Sequence, residues 1–203
     1  MNWPENVIIA DADYVDRVAF DLTVNFERMI GRRIPQADMA RWVECIALDG
    51  GMRPTPLSHL SPPTPHLSTQ VVLVHDTGRL LMENFAPGRF AEELDGKAFT
   101  GNLGEFTFTC SSPEGMTTKE HLLLDTLQFV TQEKGVKRLM VVPSEEHLGS
   151  VRQLLRRLDD DGRRTTVFTM QPLTGSIPFR QEILGYSLMA ALGVKSSELN
   201  PEN

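Results

Sequence analysis

The chain has 203 residues and a formal net charge of −7, and 40% of its residues are hydrophobic. These values are typical of an ordinary globular protein that can bury a sizeable core, and the negative charge argues against binding to nucleic acid through bulk charge alone. The two cysteines, Cys45 and Cys110, are too few for a disulfide framework and lack the spacing of metal ligands, so we expect both in the apolar core.

Membrane insertion and secretion are not predicted. No apolar run reaches the roughly 18 residues that a membrane-spanning helix needs, and no cationic segment precedes the first apolar run at Val7. We therefore expect a cytoplasmic protein, with a single α/β domain over residues 1–194 and a flexible polar tail over residues 195–203.

The first elements in chain order are a predicted buried strand and a long helix. Val7-Ile-Ile-Ala10 is a short run of apolar residues that leads directly into Asp11 and Asp13. Apolar residues at helical spacing then predict a helix over residues 15–30, and Asp13 is well placed to be its N-cap. Two acidic side chains are therefore expected where the first strand ends.

The following stretch predicts a second helix, a loop, a strand and a hairpin. A helix is expected over residues 36–48, and the proline-rich composition of residues 52–68 indicates an exposed loop. Residues 70–75 form the next apolar strand, and short helical turns are expected over residues 83–93. Alternating apolar and polar residues between 98 and 109 predict a hairpin or an edge strand.

The C-terminal half predicts a crossover between parallel strands. Thr117 and Glu120 fit a capping box at the start of a helix. Residues 138–143 form a strand, residues 148–158 have apolar positions at helical spacing, and residues 165–170 form a second strand. A strand, a helix and a strand in this order make a right-handed crossover.

Together these elements predict an α/β fold with a mainly parallel central sheet and an edge hairpin. A last helix is expected over residues 180–192, where apolar residues form a stripe that would suit a homodimer. In such sheets ligands bind beyond the carboxyl ends of the strands. Residues that follow strands are therefore the first candidates for a functional site.

Acidic residues follow three of the predicted strands. Asp11 and Asp13 follow the first strand, Asp76 follows the second, and Glu145 and Glu146 come after the strand over residues 138–143. Carboxylates that converge beside a sheet can hold Mg²⁺ or Mn²⁺, and such a metal activates water and stabilises the charge on a phosphodiester. The alternative is structural, because Asp13 can serve as a helix cap and the two glutamates suit the first turn of a helix. Asp11 has no capping duty in that interpretation.

These segments resemble the start and the centre of NYN domains, which belong to the PIN-like nuclease superfamily. The similarity lies in Val7-Ile-Ile-Ala-Asp11-Ala-Asp13, followed by two helices and a strand that ends at His75-Asp76. It continues with residues 118–127, which resemble the third acidic helix of the family, and with the strand and acidic turn over residues 139–148. The resemblance covers about residues 7–170.

The resemblance implies a three-layer α/β/α fold and cleavage of single-stranded RNA that depends on Mg²⁺ or Mn²⁺. It implies that Asp11 is the first catalytic aspartate and that Asp13 is the acid beside it. Glu145 and His147 fall where the family has paired aspartates. The acid at the start of the third helix falls on Lys119, a cation that we expect to form a salt bridge with Asp11 in the place of the metal.

Two alternatives stay open. In the first, the domain is catalytically inactive and serves binding or assembly through the arginine-rich face around Arg152, the proline-rich loop or the last helix. In the second, Asp11-Ala-Asp13-Tyr-Val15 fits the opening motif of haloacid dehalogenase-like phosphatases, with Asp11 as the nucleophile and Asp13 as the acid–base.

The favoured hypothesis is a NYN-like RNA-processing domain with a weakened metal site. Its predicted catalytic residues are Asp11, Asp13 and Glu145, its predicted metal ligands are Asp11, Asp76, Glu145 and His147, and its predicted substrate contacts are Lys119 and Arg152.

Overall fold

A mainly parallel seven-stranded sheet forms the centre of the molecule. The computed structural model describes residues 3–54, 67–158 and 162–199. In these ranges the strands are β1 (Asn6–Asp11), β2 (Ala37–Asp38), β3 (Ser68–Val74), β4 (Phe85–Ala86), β5 (Ala98–Gly101), β6 (Gly104–Ser111), β7 (Arg138–Val142), β8 (Arg164–Thr169) and β9 (Arg180–Ile183). The helices are α1 (Ala12–Ile30), α2 (Met39–Asp49), α3 (Lys119–Gln132), α4 (Leu148–Leu155), α5 (Leu184–Ala191) and α6 (Ser196–Leu199), with one π-helical turn at Phe90–Leu94.

The strand order places β1 in the middle of the sheet. The order is β5-β6-β3-β1-β7-β8-β9, and β1 pairs in parallel with both β3 and β7. The outer pairs are parallel as well, except that β5 and β6 form an antiparallel hairpin at one edge. A separate small sheet consists of β2 and β4. The predicted α/β class, the mainly parallel sheet and the edge hairpin are confirmed.

Apolar side chains on both faces of β1 hold helices against both sides of the sheet. Ile8 and Ala10 belong to the apolar cluster that includes residues of α1, α2 and α5. Val7 and Ile9 belong to the cluster that includes residues of α3 and α4. Burial on both faces explains why this strand has a continuous apolar run instead of an alternating pattern.

The first helix begins three residues earlier than the sequence predicts. It starts at Ala12 because Asp11, and not Asp13, is its N-cap. Asp11 Oδ1 accepts a hydrogen bond from the Tyr14 amide at 3.1 Å. The prediction that Asp13 caps this helix is therefore wrong, and the Asp13 carboxylate is left to contact other elements.

In contrast to α1, the next two long helices begin later than predicted, because residues other than the predicted ones cap them. The second helix starts at Met39 instead of residue 36, with Asp38 as its N-cap. The third helix is capped by Thr118, whose hydroxyl oxygen accepts a hydrogen bond from the His121 amide at 3.2 Å. Thr117, the predicted cap, lies one residue before the observed cap.

The predicted helix over residues 180–192 is a strand followed by a shorter helix. Strand β9 pairs in parallel with β8 at the edge of the sheet, and the helix begins only at Leu184. Leu184 and Leu188 are buried, and α5 packs against α2. The apolar stripe is thus covered within the chain, and homodimerisation through this helix stays a prediction.

Some predicted features lie outside the described residues. These are most of the proline-rich loop (residues 55–66), the acidic end of the arginine-rich helix (residues 159–161) and the last residues of the tail (200–203). The described part of the tail includes α6, whose Glu198 forms an ion pair with Arg32 at 2.8 Å. Both cysteines are free thiols of intermediate exposure. None of the helices in the described ranges is long and apolar enough to cross a membrane.

Candidate functional site

The carboxyl ends of β1, β3 and β7 lie side by side, with β1 in the middle. The helices α1 and α2 pack on one face of the sheet, and α3 and α4 pack on the other. Ligands of parallel α/β sheets bind in the crevice that forms at such a point. Here a pocket of about 410 Å³ opens. Its carboxylates are Asp11, Asp13, Asp76, Glu120 and Glu146, its cations are Arg17 and Lys119, and its other lining residues are Tyr14, Thr118, Ser144 and His147.

Asp11 borders the pocket because it is both the last residue of β1 and the cap of α1. Its side chain is 1% exposed, and its Oδ1 accepts hydrogen bonds from the Tyr14 amide and from Lys119 Nζ. Its Oδ2 has no hydrogen-bond partner among the described residues and lies 3.5 Å from His147 Nδ1. A buried carboxylate oxygen without a donor costs free energy.

Asp13 connects α1 to the loop that follows β3. Its Oδ2 accepts hydrogen bonds from the Asp76 amide at 2.6 Å and from Lys119 Nζ at 2.9 Å. Its Oδ1 lies 3.2 Å from Arg79 Nε in an ion pair. Contacts from cationic donors to both oxygens stabilise the ionised carboxylate.

Lys119, the first residue of α3, places its ammonium group between three aspartates. Nζ lies 3.0 Å from Asp11 Oδ1, 2.9 Å from Asp13 Oδ2 and 3.1 Å from Asp76 Oδ2. Burial alone would lower the pKa of Lys119, but the charge of Asp11 and the hydrogen bonds to the three carboxylates together raise it. The ammonium is therefore charged at neutral pH, and the expected salt bridge with Asp11 is present.

The donor set of the pocket does not fit a divalent metal ion while Lys119 is in place. Carboxylate oxygens suit Mg²⁺ or Mn²⁺, but the converging oxygens of the three aspartates already surround the ammonium nitrogen. Within the part of the chain that the structure describes, no group of three or more His, Cys, Asp or Glu residues could hold a metal ion. A metal would have to displace a lysine that three carboxylates bind.

The two site residues predicted after β7 lie in different positions. His147 lines the pocket and faces Asp11. Glu145 is not among the lining residues, and its carboxylate lies beside the Tyr14 phenol. Burial, and then the charge and hydrogen bond of Glu145, raise the pKa of Tyr14 to about 12. Tyr14 is therefore a neutral hydroxyl in the pocket wall, with Glu145 behind it.

Arg152 lies away from the acidic pocket, on α4. Its Nη2 donates to the Thr174 carbonyl at 3.3 Å, and Arg156 Nη2 donates to the Ser176 carbonyl at 2.9 Å. Together with Arg157, Gly149 and Gln153 they line a second concavity of about 600 Å³, which we name the α4 groove. The structure thus brings Asp11, Asp13, Asp76, Lys119 and His147 together and leaves Arg152 in a separate basic surface.

A polar network beside the pocket is not predicted by the sequence. Asp16 is 3% exposed, accepts a hydrogen bond from the Asn84 amide at 2.8 Å and forms an ion pair with Arg79 at 3.0 Å. Because Arg79 also contacts Asp13, it joins the two aspartates and holds the loop after β3 against α1. Asp16 has a signal in the sequence, since it is an acid on the apolar side of a predicted helix. The loop residues Arg79 and Asn84 have none.

The family to which the chain belongs is shown by its sequence as a whole. A model of the family of unknown function DUF6621 matches residues 1–199. The chain is a member of DUF6621. No curated protein and no solved structure matches it.

The pocket of this DUF6621 member carries an excess of negative charge. Five carboxylates and two cations line it, which leaves three formal negative charges when His147 is neutral. A concave surface of this charge repels phosphate groups and attracts cations. This sum already includes Lys119, so the pocket of this DUF6621 member stays negatively charged with the lysine in place.

Proposed function

We propose that this chain is a divergent NYN domain of the PIN-like superfamily that binds single-stranded RNA without cutting it. The observation that carries the proposal is the position of Lys119, whose Nζ lies within 3.1 Å of carboxylate oxygens of three aspartates. Its ammonium group supplies the positive charge that a metal ion supplies in the nucleases that the sequence resembles. In this proposal the domain retains acids of a nuclease site, and these acids stabilise the fold by binding Lys119.

The position of the acids along the fold supports the NYN-like interpretation. Asp11 ends the central strand, and Asp76 follows its parallel neighbour β3. Glu145, which falls on an acidic position of the family, follows β7, the parallel neighbour on the other side. The resemblance implies acids at these strand ends, and it puts Lys119 where the family has a further acid.

The charge of the pocket disfavours hydrolysis of RNA. A phosphodiester that is being cleaved needs positive charge to stabilise its developing negative charge, and it needs a group that activates water. The charge of Lys119 is shared among three carboxylates, and the lining residues around it are mainly acidic. A phosphodiester that entered the pocket would therefore be repelled.

The α4 groove is the surface that we assign to RNA. Arg152, Arg156 and Arg157 line it, and none of its lining residues is acidic. Two of these arginines each donate one hydrogen bond to a backbone carbonyl, which fixes the guanidinium groups and leaves further N–H donors for phosphate oxygens. Cations in and directly after one helix suit the phosphates of a single strand.

The absence of cleavage is tested with labelled single-stranded RNA in Mn²⁺ or Mg²⁺. We expect the wild-type chain to leave the RNA intact, and we expect neither metal to change its melting temperature. Lys119→Asp removes the ammonium group and adds a carboxylate, so Mn²⁺ should raise the melting temperature of that variant. Cutting by the wild-type chain that disappears in Asp11→Asn would identify an active nuclease and overturn the proposal.

RNA binding is tested by fluorescence anisotropy over a range of salt concentrations. Each arginine that contacts a phosphate of a single strand contributes about 0.7 to the slope of log affinity against log salt. The double variant Arg152→Gln, Arg157→Gln should lower that slope by about 1.4 and weaken binding. Arg28→Gln, at an exposed arginine in the last turn of α1, is the matched control and should leave the slope unchanged.

Two outcomes would count against this assignment. A slope for the double variant equal to that of the wild-type chain would reject the α4 groove as the RNA surface. A wild-type chain that binds no single-stranded RNA at low salt would reject the proposed function as a whole.

A further inference from the structure

A second concentration of charge lies at the amino ends of the strands, opposite the acidic pocket. Arg138, Arg164 and Arg180 are the first residues of β7, β8 and β9. Arg138 pairs with Arg164 in the register, and Arg180 pairs with Thr166. Since residues two apart on a strand, and paired residues on neighbouring strands, project to the same face, all three arginines lie on one face of the sheet.

The end of α2 covers this face and adds a fourth arginine. A Cβ atom at Gly51 would lie 2.2 Å from Arg164 Cζ, so the Gly51 backbone packs directly on that guanidinium group. Arg53 follows two residues later and is fixed by hydrogen bonds from its Nη1 to the Leu48 and Met52 carbonyls at 2.9 and 2.7 Å. We name Arg53, Arg138, Arg164 and Arg180 the arginine cluster.

Donor atoms in the arginine cluster lack partners. Arg138 Nε, Arg164 Nε and the neighbouring Thr166 Oγ1 are buried and make no hydrogen bond within the described residues. None of the four arginines forms an ion pair with a carboxylate in the same ranges. Buried donors without acceptors are rare in folded proteins, and each costs free energy.

The arginines also interact with one another electrostatically. Burial lowers the pKa of Arg164, and the charges of Arg180, Arg138 and Arg53 lower it further, while Glu182 opposes them. A second acid, Asp49, lies close enough to Arg53 and Glu182 to interact with both. Four cations against two carboxylates leave the cluster with an excess of positive charge.

We propose that the arginine cluster binds an oxyanion of the phosphate type, carried by a small phosphorylated ligand. The planar guanidinium group offers N–H donors in a fork that matches two oxygens of a tetrahedral oxyanion. One anion among these arginines would accept hydrogen bonds from the unpaired Nε atoms and from the Thr166 hydroxyl, and it would reduce the repulsion between the cations. This site lies on the face of the sheet that α2 covers, whereas the α4 groove lies on the other.

The test measures the melting temperature of the full chain in sodium phosphate, sodium pyrophosphate and sodium chloride at equal ionic strength. We expect both phosphate salts to raise the melting temperature of the wild-type chain above its value in chloride. A response to pyrophosphate at a lower concentration than to phosphate would indicate a ligand with two linked phosphate groups. Equal responses would indicate a single phosphate group.

Arg164→Gln removes the central guanidinium group and should lower the affinity for pyrophosphate at least tenfold, because a hydrogen bond from a charged group is lost. In chloride this variant should melt no lower than the wild-type chain, since removing one of four neighbouring cations relieves repulsion. Arg180→Gln changes an exposed member of the cluster and keeps the test valid if Arg164→Gln folds poorly. Arg28→Gln, at an exposed arginine in the last turn of α1 that belongs to neither basic surface, is the control and should respond like the wild-type chain.

The same titrations define the result that would overturn the proposal. A wild-type chain that responds equally to phosphate, pyrophosphate and chloride has no oxyanion site. Phosphate responses that persist unchanged in both cluster variants would place the site elsewhere in the molecule.

Discussion

Asp11 and Asp13 lie two positions apart, yet they have different roles. Either acid suits the start of a helix, so local sequence preferences assign the cap to Asp13. In the structure Asp11 caps α1 through one oxygen, and Asp13 contacts Lys119, Arg79 and the Asp76 amide. The choice depends on where the buried strand ends, which is a tertiary property. The ion pair between Lys119 and Asp11 could be predicted, because Lys119 falls at a position where the NYN family, which the sequence resembles, has an acid.

Removing the charge of Lys119 should destabilise the fold. Lys119→Met keeps the length of the side chain but leaves three aspartates facing one another without a cation. Loss of one partner of a buried ion pair typically costs 3–5 kcal/mol, so we expect the free energy of unfolding in urea to fall by about 3 kcal/mol.

The control for this change is Lys137→Met. Lys137 forms an ion pair with Glu5 at the surface and is 63% exposed, and such pairs contribute about 0–1 kcal/mol. Equal losses of stability in the two lysine variants would contradict a central role for the ammonium group in the pocket.

The thiol of Cys110 should react slowly in the folded chain. Burial, together with the charge of Asp95, raises its pKa from 9.0 to about 12. The thiolate is the reactive form, and this rise lowers its fraction at neutral pH about a thousandfold. In Cys45→Ser, where Cys110 is the remaining thiol, Ellman's reagent should react far more slowly with the folded chain than with the chain in urea. Equal rates in the two states would show that the thiol is accessible and ionised.

At the scale of elements, the sequence predicts the strands with apolar runs or regular alternation and misses β2, β4 and β9. β1, β3 and β7 are buried on both faces, so their sequences are continuously apolar. β9 has the sequence Arg-Gln-Glu-Ile, lies at the edge of the sheet and runs directly into the apolar stripe of α5. The helical spacing of the apolar residues in α5 therefore leads to a predicted helix that wrongly includes β9. The two-residue strands β2 and β4 are too short to leave a pattern at all.

Two glycines at the ends of elements should differ in how they tolerate alanine. Gly31 ends α1 with φ +69° and Gly104 begins β6 with φ +114°. A Cβ at Gly31 would meet no atom within 4 Å, but at Gly104 it would lie 1.9 Å from the Leu67 carbonyl oxygen. Gly31→Ala should cost about 1 kcal/mol through backbone strain alone.

Gly104→Ala should cost at least twice as much, because the edge hairpin would have to move away from the residue that precedes β3. Urea denaturation of the two variants measures the difference in the free energy of unfolding. A similar loss for both would mean that the hairpin adapts without strain.

At the scale of the whole molecule, the two ends of the parallel sheet carry opposite charge. Acids gather at the carboxyl ends of its central strands and arginines at the amino ends of β7, β8 and β9. The net charge of −7 is a sum over the whole chain and does not show this separation of acids from arginines. Part of the acidic end could be predicted because Asp11, Asp13 and Asp76 lie at or within two residues of the end of an apolar strand. The arginine cluster could not, because it depends on which strands are neighbours and on where α2 ends.

Stability should fall in alkaline solution. Burial is the main cause that raises the pKa of Tyr14 from 10.0 and of Cys110 from 9.0, each to about 12. Between about pH 9 and about pH 12 the folded chain therefore holds protons that the unfolded chain has released. The contribution of these groups is complete below this range and is lost as the pH rises through it.

The urea midpoint measured over this range checks the expectation. It should decline with rising pH in the wild-type chain and decline less in Cys110→Ser, which lacks one of the two groups. A midpoint that stays constant would show that neither group is protected by folding.

A cation attached to the backbone has consequences that a dissolved ion does not have. A chelator cannot extract Lys119, a competing metal cannot exchange with it, and scarcity of metal in the surroundings cannot deplete it. Ion pairs of Lys119 therefore connect the start of α3 to the end of β1 and to the loop after β3. The site of a metalloenzyme can be loaded or vacant, whereas this crevice carries its cation on its own chain.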